Sequence, residues 1–184
     1  KFVDQAYNLR TDIEGMGKVI SMLDFYSSLS YLAKECNWVK PVMVENGEVD
    51  IKDGRHPVVE SNTERYVPNS FSTNKSRFSL ITGPNMAGKS TYLREIALIV
   101  LLSHIGSFVP ATNATIPITD KIFCRVGASD NLSKGESTFL IEMSESAQIL
   151  RSITDKSLVI MDEIGRGTST QDGMSIAYAI MEYL

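Results

Sequence analysis

One eight-residue segment, Gly83-Pro84-Asn85-Met86-Ala87-Gly88-Lys89-Ser90, constrains the fold of this chain more than any other feature. It fits the pattern GxxxxGK[ST] and follows an apolar run, Arg77 to Thr82, that predicts a buried strand. After it, apolar residues recur at helical spacing at Leu93, Ile96, Ala97, Val100 and Leu101. A strand, a glycine-rich turn and a helix in this order are typical of a phosphate-binding loop, in which backbone N–H groups surround an anion. The alternative, a turn that matches by chance, does not account for both flanks.

Three side chains at the end of this loop have distinct predicted roles. Lys89 would neutralise the β and γ phosphates of a nucleoside triphosphate. Ser90 would supply a hydroxyl ligand for Mg²⁺, which prefers oxygen ligands, and Thr91 would reach a phosphate oxygen from the first helical turn. The loop therefore predicts a site for a triphosphate together with Mg²⁺.

A pair of acids, Asp162 and Glu163, follows the apolar run Leu158 to Met161. Because open α/β sheets bind ligands at the carboxyl ends of their strands, this pair is expected to face the phosphate loop. Asp162 would hold Mg²⁺ through water, and Glu163 would act as the general base that activates the attacking water. The alternative is a loop start or a helix cap. A glutamate that activates water favours hydrolysis over a small-molecule kinase reaction, in which the phosphate acceptor is an alcohol or another phosphate.

The remaining pattern alternates helices and strands. Asp4 to Cys36 predicts one long amphipathic helix or two short ones, and 42–74 predicts short strands and turns. A strand over 122–126, a helix over 137–153, a strand over 157–161 and a helix over 170–184 complete the pattern. The predicted fold class is therefore α/β.

Composition excludes several classes of protein. Lysine and arginine number 18 against 22 acidic residues, so no basic field for gripping nucleic acid covers the whole chain. No apolar run is long enough to span a membrane. Cys36 and Cys124 lack metal-ligand spacing and are predicted to be buried thiols in a reducing cytoplasm. His56 and His104 have no metal-ligand neighbours and are predicted to be structural.

Several long blocks of the chain resemble the MutS family, whose ATPase domain belongs to the ABC class. They are Ile81 to Ala111, Ile122 to Leu150 and Ser157 to Gly173, with GRHPVVE (Gly54 to Glu60) and YVPN (Tyr66 to Asn69) before them. The resemblance implies a P-loop NTPase sheet flanked by helices that binds and hydrolyses ATP with Mg²⁺. It also divides the chain into 1–41, the helical end of the family's lever region, and 42–184, an ABC-type ATPase domain.

The resemblance implies further site residues. Ser137, in the segment Ser133 to Thr138, occupies the place of the ABC signature, which reaches the γ-phosphate bound by the other subunit; a helix N-cap is the alternative. Asn85 resembles the asparagine that helps hold the γ-phosphate or its water, with a turn residue as the alternative. Tyr66 falls where an aromatic ring stacks on adenine, with Val67 beside it; a plain packing aromatic is the alternative. The segment Gly165 to Asp172 resembles a loop at the dimer interface.

The same resemblance implies a larger assembly. The family's ATPase continues past the last helix into a strand that ends with a γ-phosphate-sensing histidine, so this domain is expected to be incomplete at its C-terminus and its turnover slow. The parent protein is expected to be a cytoplasmic homodimer without a membrane segment. It would hold mismatched double-stranded DNA through domains outside this chain and work with a MutL-type repair partner.

Two other functions remain open from the residues. A different ABC-class ATPase, such as a chromosome-maintenance ATPase or a transporter cassette, would carry an LSGGQ-like signature, from which Ser133 to Thr138 departs. A nucleotide-binding switch with little hydrolysis would use the same phosphate loop. Replacing Glu163 separates the switch from the ATPase.

Overall fold

The structure is a computed structural model that describes residue 7 and residues 9–73, 76–84, 86–126, 138–165 and 167–184. These residues form five helices and six strands. In chain order the elements are α1 (Arg10–Glu35), β1 (Val42–Val44), β2 (Asp50–Gly54), α2 (Pro57–Ser61), β3 (Asn69–Ser72), α3 (Lys89–His104), β4 (Asn113–Pro117), β5 (Ile122–Arg125), α4 (Thr138–Ser152), β6 (Leu158–Met161) and α5 (Thr170–Tyr183).

The strands form two small sheets. The first has the order β1-β4-β2-β3, in which β1 and β4 are parallel and the other two pairs are antiparallel. The second is a parallel pair of β5 and β6, with Ile122 opposite Leu158 and Arg125 opposite Met161. One further backbone bond, from the N–H of Asp162 to the carbonyl oxygen of Arg125 at 2.8 Å, extends this pairing beyond β6. The acid pair therefore begins where the parallel ladder ends.

The hydrophobic core lies between α3 and the four-stranded sheet. It is built from nine buried side chains: Val49, Ile51, Ile96, Ile99, Val100, Val109, Ala111, Ala114 and Ile116. Ile96, Ile99 and Val100 share one face of α3, as their spacing requires. Because α3 also contacts β5 and β6, one helix joins the core to the parallel pair. The start of α3 is thereby fixed relative to the end of β6.

Most of the predicted elements are confirmed. The helices predicted from Lys89, over 137–153 and over 170–184 are α3, α4 and α5, and the strands predicted over 122–126 and 157–161 are β5 and β6. The α/β class is confirmed as a mixed fold with two small sheets, whereas a single P-loop NTPase sheet stays a prediction.

The strand predicted over 77–82 is wrong. These residues are in no strand, and Phe78 and Leu80 are 43% and 70% exposed. A strand exists only where a neighbour accepts its backbone hydrogen bonds. No segment among the described residues pairs with this one, so its apolar pattern alone does not produce a strand.

Helix α1 is a single helix through Gly15 and Gly17. Its predicted apolar stripe is present but exposed: Ile13, Met16, Ile20 and Leu23 are each more than half exposed, and Ala33 is its one buried residue. The chain after α1 is tied to the rest by mutual backbone hydrogen bonds between Val39 and Val109, each of 2.9 Å. Within the described part of the chain, no helix is long and apolar enough to cross a membrane.

The prediction that both cysteines are buried is wrong. Cys36 is half-buried, and Cys124 is exposed on β5. The error has a simple cause, since a sequence pattern does not show which face of a short strand is covered.

Replacing Ile99 with alanine is expected to lower the free energy of unfolding by about 2–5 kcal/mol, because Ile99 is fully buried and a cavity would remain. Urea unfolding followed by circular dichroism measures this change. The matched control is Leu101→Ala on the same helix, where the side chain is 47% exposed and the loss should stay below about 1 kcal/mol. Equal losses in the two variants would contradict this position of the core.

Candidate nucleotide-binding site

The phosphate loop runs into the N-terminus of α3. Gly88 is the N-cap residue, with a left-handed backbone at φ 86°, and Met86 is also left-handed at φ 63°. A left-handed N-cap favours glycine because it has no Cβ to clash with the following carbonyl. The side chain of Met86 is fully exposed, so this residue contributes its backbone to the loop. Asn85 lies outside the described residues.

The ammonium group of Lys89 lies against the loop that precedes it. Its Nζ donates hydrogen bonds to the carbonyl oxygens of Gly83, at 2.8 Å, and Pro84, at 2.7 Å. The side chain thus folds back over the loop, which places a positive charge beside the segment that leads into the N-terminus of α3. Such an arrangement suits an anion with several oxygens.

Ser90 and Asp162 are in direct contact. The Ser90 hydroxyl donates a hydrogen bond to Oδ2 of Asp162, and Asp162 is only 8% exposed. Ser90 stands in the first turn of α3 and Asp162 directly after β6, so two segments far apart in sequence meet here. A hydroxyl and a carboxylate are both oxygen donors of the kind that Mg²⁺ accepts. This pair therefore fits the predicted metal ligands.

Glu163 differs from Asp162 in burial and backbone. Its side chain is exposed, and its φ of 52° is left-handed, which is uncommon for a residue other than glycine. This conformation turns the chain sharply between the buried Asp162 and the loop that follows. The two adjacent acids thereby have different surroundings: Asp162 is buried in contact with Ser90, and Glu163 is exposed.

The loop after Glu163 is closely packed. The N–H of Gly165 donates to Oε1 of Glu142 on α4 at 2.6 Å, and Glu142 is 4% exposed. Ser169 caps α5: its Oγ accepts the N–H of Asp172 at 3.2 Å and lies 2.7 Å from Oδ2 of Asp172. The predicted signature residue Ser137 lies outside the described residues. Its assignment as a γ-phosphate ligand or as a helix N-cap therefore stays a prediction.

The predicted adenine-stacking residue Tyr66 is anchored by its hydroxyl group. This hydroxyl donates a hydrogen bond to Oε2 of Glu95, which is 1% exposed on α3. Space beside Glu95 is also limited, because a Cβ on Gly54 would come within 2.7 Å of Oε1 of Glu95. Val67 is 69% exposed and does not share this burial. The ring of Tyr66 is thus fixed to the helix that begins at the phosphate loop.

Burial shifts the pKa of both members of this pair. Loss of water raises the pKa of the Glu95 carboxyl, against the effect of hydrogen bonds from Tyr66 and Asn69. Burial, with the neighbouring Glu95, raises the pKa of Tyr66 to about 12. Tyr66 therefore keeps its proton at physiological pH and stays a hydrogen-bond donor.

Both histidines have structural contacts, as predicted. The Nδ1 of His56 accepts hydrogen bonds from the N–H groups of Val58 and Val59, both at 3.3 Å, and so caps α2. Burial lowers the pKa of His56, which favours the neutral ring that such a cap requires. His104 is held between the carbonyl oxygen of Val100 and the N–H of Thr119.

Two buried acids in this region, Glu95 and Glu142, were missed by the sequence reasoning. Each stands at a position where helical spacing alone predicts a core side chain: Glu95 with Ile99, and Glu142 with Ser146 and Ile149. An acid on the apolar face of a predicted helix is a signal that could have identified both. A buried acid needs a hydrogen-bond partner, which here is Tyr66 for Glu95 and Gly165 for Glu142.

Comparisons with known proteins agree on one family. The family described as MutS domain V matches residues 79–184. The chain is 56% identical over 176 residues to the DNA mismatch repair protein MutS of Borreliella afzelii (strain PKo), covering 94% of this chain and 20% of that protein. It is 52% identical over 185 residues to the protein of the same name from Clostridioides difficile (strain 630), covering 98% of this chain and 20% of that protein. The chain thus spans about a fifth of the length of these relatives.

The raised pKa of Glu95 makes a pH-dependent contribution to stability. The folded protein binds a proton at a pH where the unfolded chain, with the ordinary value of 4.5, has lost it. This stability is therefore complete below the unfolded value and is lost as the pH rises through the folded value.

We expect Glu95→Gln to remove this pH dependence, since glutamine still accepts a hydrogen bond from Tyr66 but does not ionise. As the pH rises from 4.5 towards neutrality, the parent should lose unfolding free energy relative to the variant. Urea unfolding at several pH values measures it, with Glu48→Gln as an exposed control. A difference that stays constant with pH would contradict this assignment.

Proposed function

This chain belongs to the MutS family, and from that premise we propose that it is the ATP-binding and hydrolysing module of a MutS-type DNA mismatch repair protein. The observation that supports this most strongly is the contact between Ser90 and Asp162. It brings the end of the phosphate loop against the acid pair, where a triphosphate, its metal ion and an attacking water would meet. The contact between Ser90 and Asp162 supports this proposal because it joins two of the predicted site residues.

Binding of the triphosphate rests on the loop and on Lys89. The ammonium group already lies over the loop, in hydrogen bonds with the carbonyl oxygens of Gly83 and Pro84. We propose that it directs its hydrogen bonds to the β and γ phosphates of ATP, while the N–H groups between Met86 and Thr91 surround them. Asn85 would assist at the γ-phosphate. Tyr66, anchored through Glu95, would stack on adenine, with Val67 beside it.

Ser90 and Asp162 would hold Mg²⁺, Asp162 through water, as their oxygen donors suit. When bound, the ion would neutralise charge on the phosphate oxygens. Glu163 would orient the attacking water and accept its proton, which leaves inorganic phosphate and ADP as products. The exposure of Glu163 beside the buried Asp162 supports this division of roles, because a base must reach water whereas a ligand must stay in place.

We further propose that the site works at a dimer interface. Ser137 of a second copy would complete the γ-phosphate contacts, so that ATP binding closes two sites and hydrolysis reopens them. In the parent protein this cycle would control the grip on mismatched double-stranded DNA and the engagement of a MutL-type partner. The relatives' name, DNA mismatch repair protein MutS, supports this role.

Replacing Lys89 with alanine is expected to weaken binding of a fluorescent ATP analogue in the presence of Mg²⁺ by about 10- to 100-fold, because hydrogen bonds from a charged group are lost. Fluorescence anisotropy measures the affinity. The matched control is Lys18→Ala, which removes the same charge from the exposed surface of α1. Equal affinity in the Lys89 variant and its parent would argue against the phosphate loop as the binding site.

Replacing Glu163 with glutamine is expected to lower the rate of ATP hydrolysis by about 10²- to 10⁴-fold and to leave ATP affinity nearly unchanged, because a general base is removed and the phosphate contacts stay. Single-turnover hydrolysis, with the protein in excess over labelled ATP, measures the chemical step. A parent chain that binds ATP without any hydrolysis would instead indicate a nucleotide switch.

A further inference from the structure

The loop that carries Glu163 is attached to α4 by one buried side chain. Glu142, 4% exposed, accepts the N–H of Gly165 through Oε1 at 2.6 Å. A carboxyl group with so little access to water needs such a partner, and the backbone group loses its acceptor if the carboxyl is removed. Neither the phosphate loop nor the acid pair makes this contact. The hydrogen bond between Glu142 and Gly165 has no part in the nucleotide and metal contacts proposed above.

The same loop also packs closely against α4 and α5. Gly165 has φ 82°, and a Cβ placed there would come within 2.6 Å of Cα of Gly173 in the first turn of α5. A Cβ on Gly173 would in turn lie 2.5 Å from the carbonyl oxygen of Gly165. A Cβ on Gly167 would meet Cβ of Phe139, in the first turn of α4, at 2.9 Å. The loop is therefore in close contact with α4 and α5, and a small displacement of either helix would move it.

Glu163 stands at the start of this loop. Its left-handed backbone, at φ 52°, is unfavourable for a residue with a side chain and persists only where its surroundings determine it. On one side the chain is fixed at Asp162, which bonds to Arg125 and contacts Ser90. On the other side Gly165, two residues further, is held by Glu142. Glu163 lies between these two points.

We propose that Glu142 is a positioning residue for ATP hydrolysis: by binding the N–H of Gly165, it holds the loop so that Glu163 presents its carboxylate to the attacking water. The inference rests on the proposed function, in which Glu163 is the general base. Glu142 touches neither substrate nor metal in this account. It acts through the backbone of the loop.

The test compares Glu142→Ala with Glu142→Gln, since glutamine keeps an oxygen that can accept the Gly165 N–H. Single-turnover hydrolysis should fall about 10- to 100-fold in the alanine variant, because a displaced base loses its geometry, and should be largely retained in the glutamine variant. Affinity for the fluorescent ATP analogue should stay within about twofold in both, since the phosphate loop is unchanged. Gln148→Ala, exposed on the same helix, is the control.

A second readout does not depend on activity. Hydrogen exchange of the Gly165 amide should become at least about tenfold faster in Glu142→Ala, and should stay slow in Glu142→Gln and in Glu163→Gln. In the Glu163→Gln background, adding Glu142→Ala should lower hydrolysis no further, because the two residues act through one base. A full additional loss there, or an unchanged rate in Glu142→Ala alone, would overturn the proposal.

These outcomes distinguish the proposed role of Glu163 from the positioning role of Glu142. If Glu163→Gln has no effect on hydrolysis, the proposed function of the acid pair fails whatever Glu142 does. If Glu163→Gln abolishes hydrolysis and Glu142→Ala keeps the parent rate, only the positioning role fails. A loss of rate together with a loss of ATP affinity in Glu142→Ala would indicate general damage to the fold, and would also overturn the positioning role if Glu142→Gln shared it.

Discussion

The hydrogen bond from Ser90 to Asp162 joins two segments that are 72 residues apart in the chain. One is the first turn of α3, a helix that also supplies Ile96, Ile99 and Val100 to the core, and the other is the end of β6, which is paired with β5. Because α3 packs on both sheets, this contact is made between two rigid elements and not between two loops. The geometry of the proposed nucleotide site therefore follows from the packing of α3. A disturbance of the core is expected to reach the site through the same helix.

Near this contact, two buried acids form hydrogen bonds with segments that the proposed site would use. Glu95 binds the hydroxyl of Tyr66 on one side of α3, and Glu142 binds the N–H of Gly165 on the loop behind the acid pair. Each is almost fully buried, with an exposed fraction of 1% and 4% respectively. A buried acid needs a hydrogen-bond partner, and each of these two acids has one on a neighbouring segment, whose position it thereby helps to fix. The site thus combines rigid helices with polar contacts that fix the adjacent loops.

The part of the site that could be predicted from sequence is the part with local determinants. The helix that follows the phosphate loop and the short apolar strand before the acid pair are local patterns, and both are confirmed as α3 and β6. The contact between Ser90 and Asp162 agrees with the expectation that the acid pair faces the loop.

Predictions failed or stayed incomplete where the outcome depends on a distant neighbour. The residues over 77–82 have the apolar pattern of a strand, but no described segment pairs with them. The stripe on α1 has helical spacing, but its side chains remain exposed. Glu95 and Glu142 were missed because an acid on an apolar face has meaning only when its partner is known, and Tyr66 and Gly165 are distant in sequence. Periodicity identifies an element, whereas its partners are a property of the whole fold.

In the proposed site, Ser90 and Asp162 act together on one Mg²⁺-bound nucleotide. A double-mutant cycle tests it most directly: ATP affinity is measured by calorimetry with Mg²⁺ and with a chelator for the parent chain, Ser90→Ala, Asp162→Asn and the double variant. If the two residues act together, each single change removes the gain in affinity that Mg²⁺ provides, and the double variant binds no more weakly than the weaker single one. Independent, additive losses, or a gain from Mg²⁺ that survives in the double variant, would contradict it.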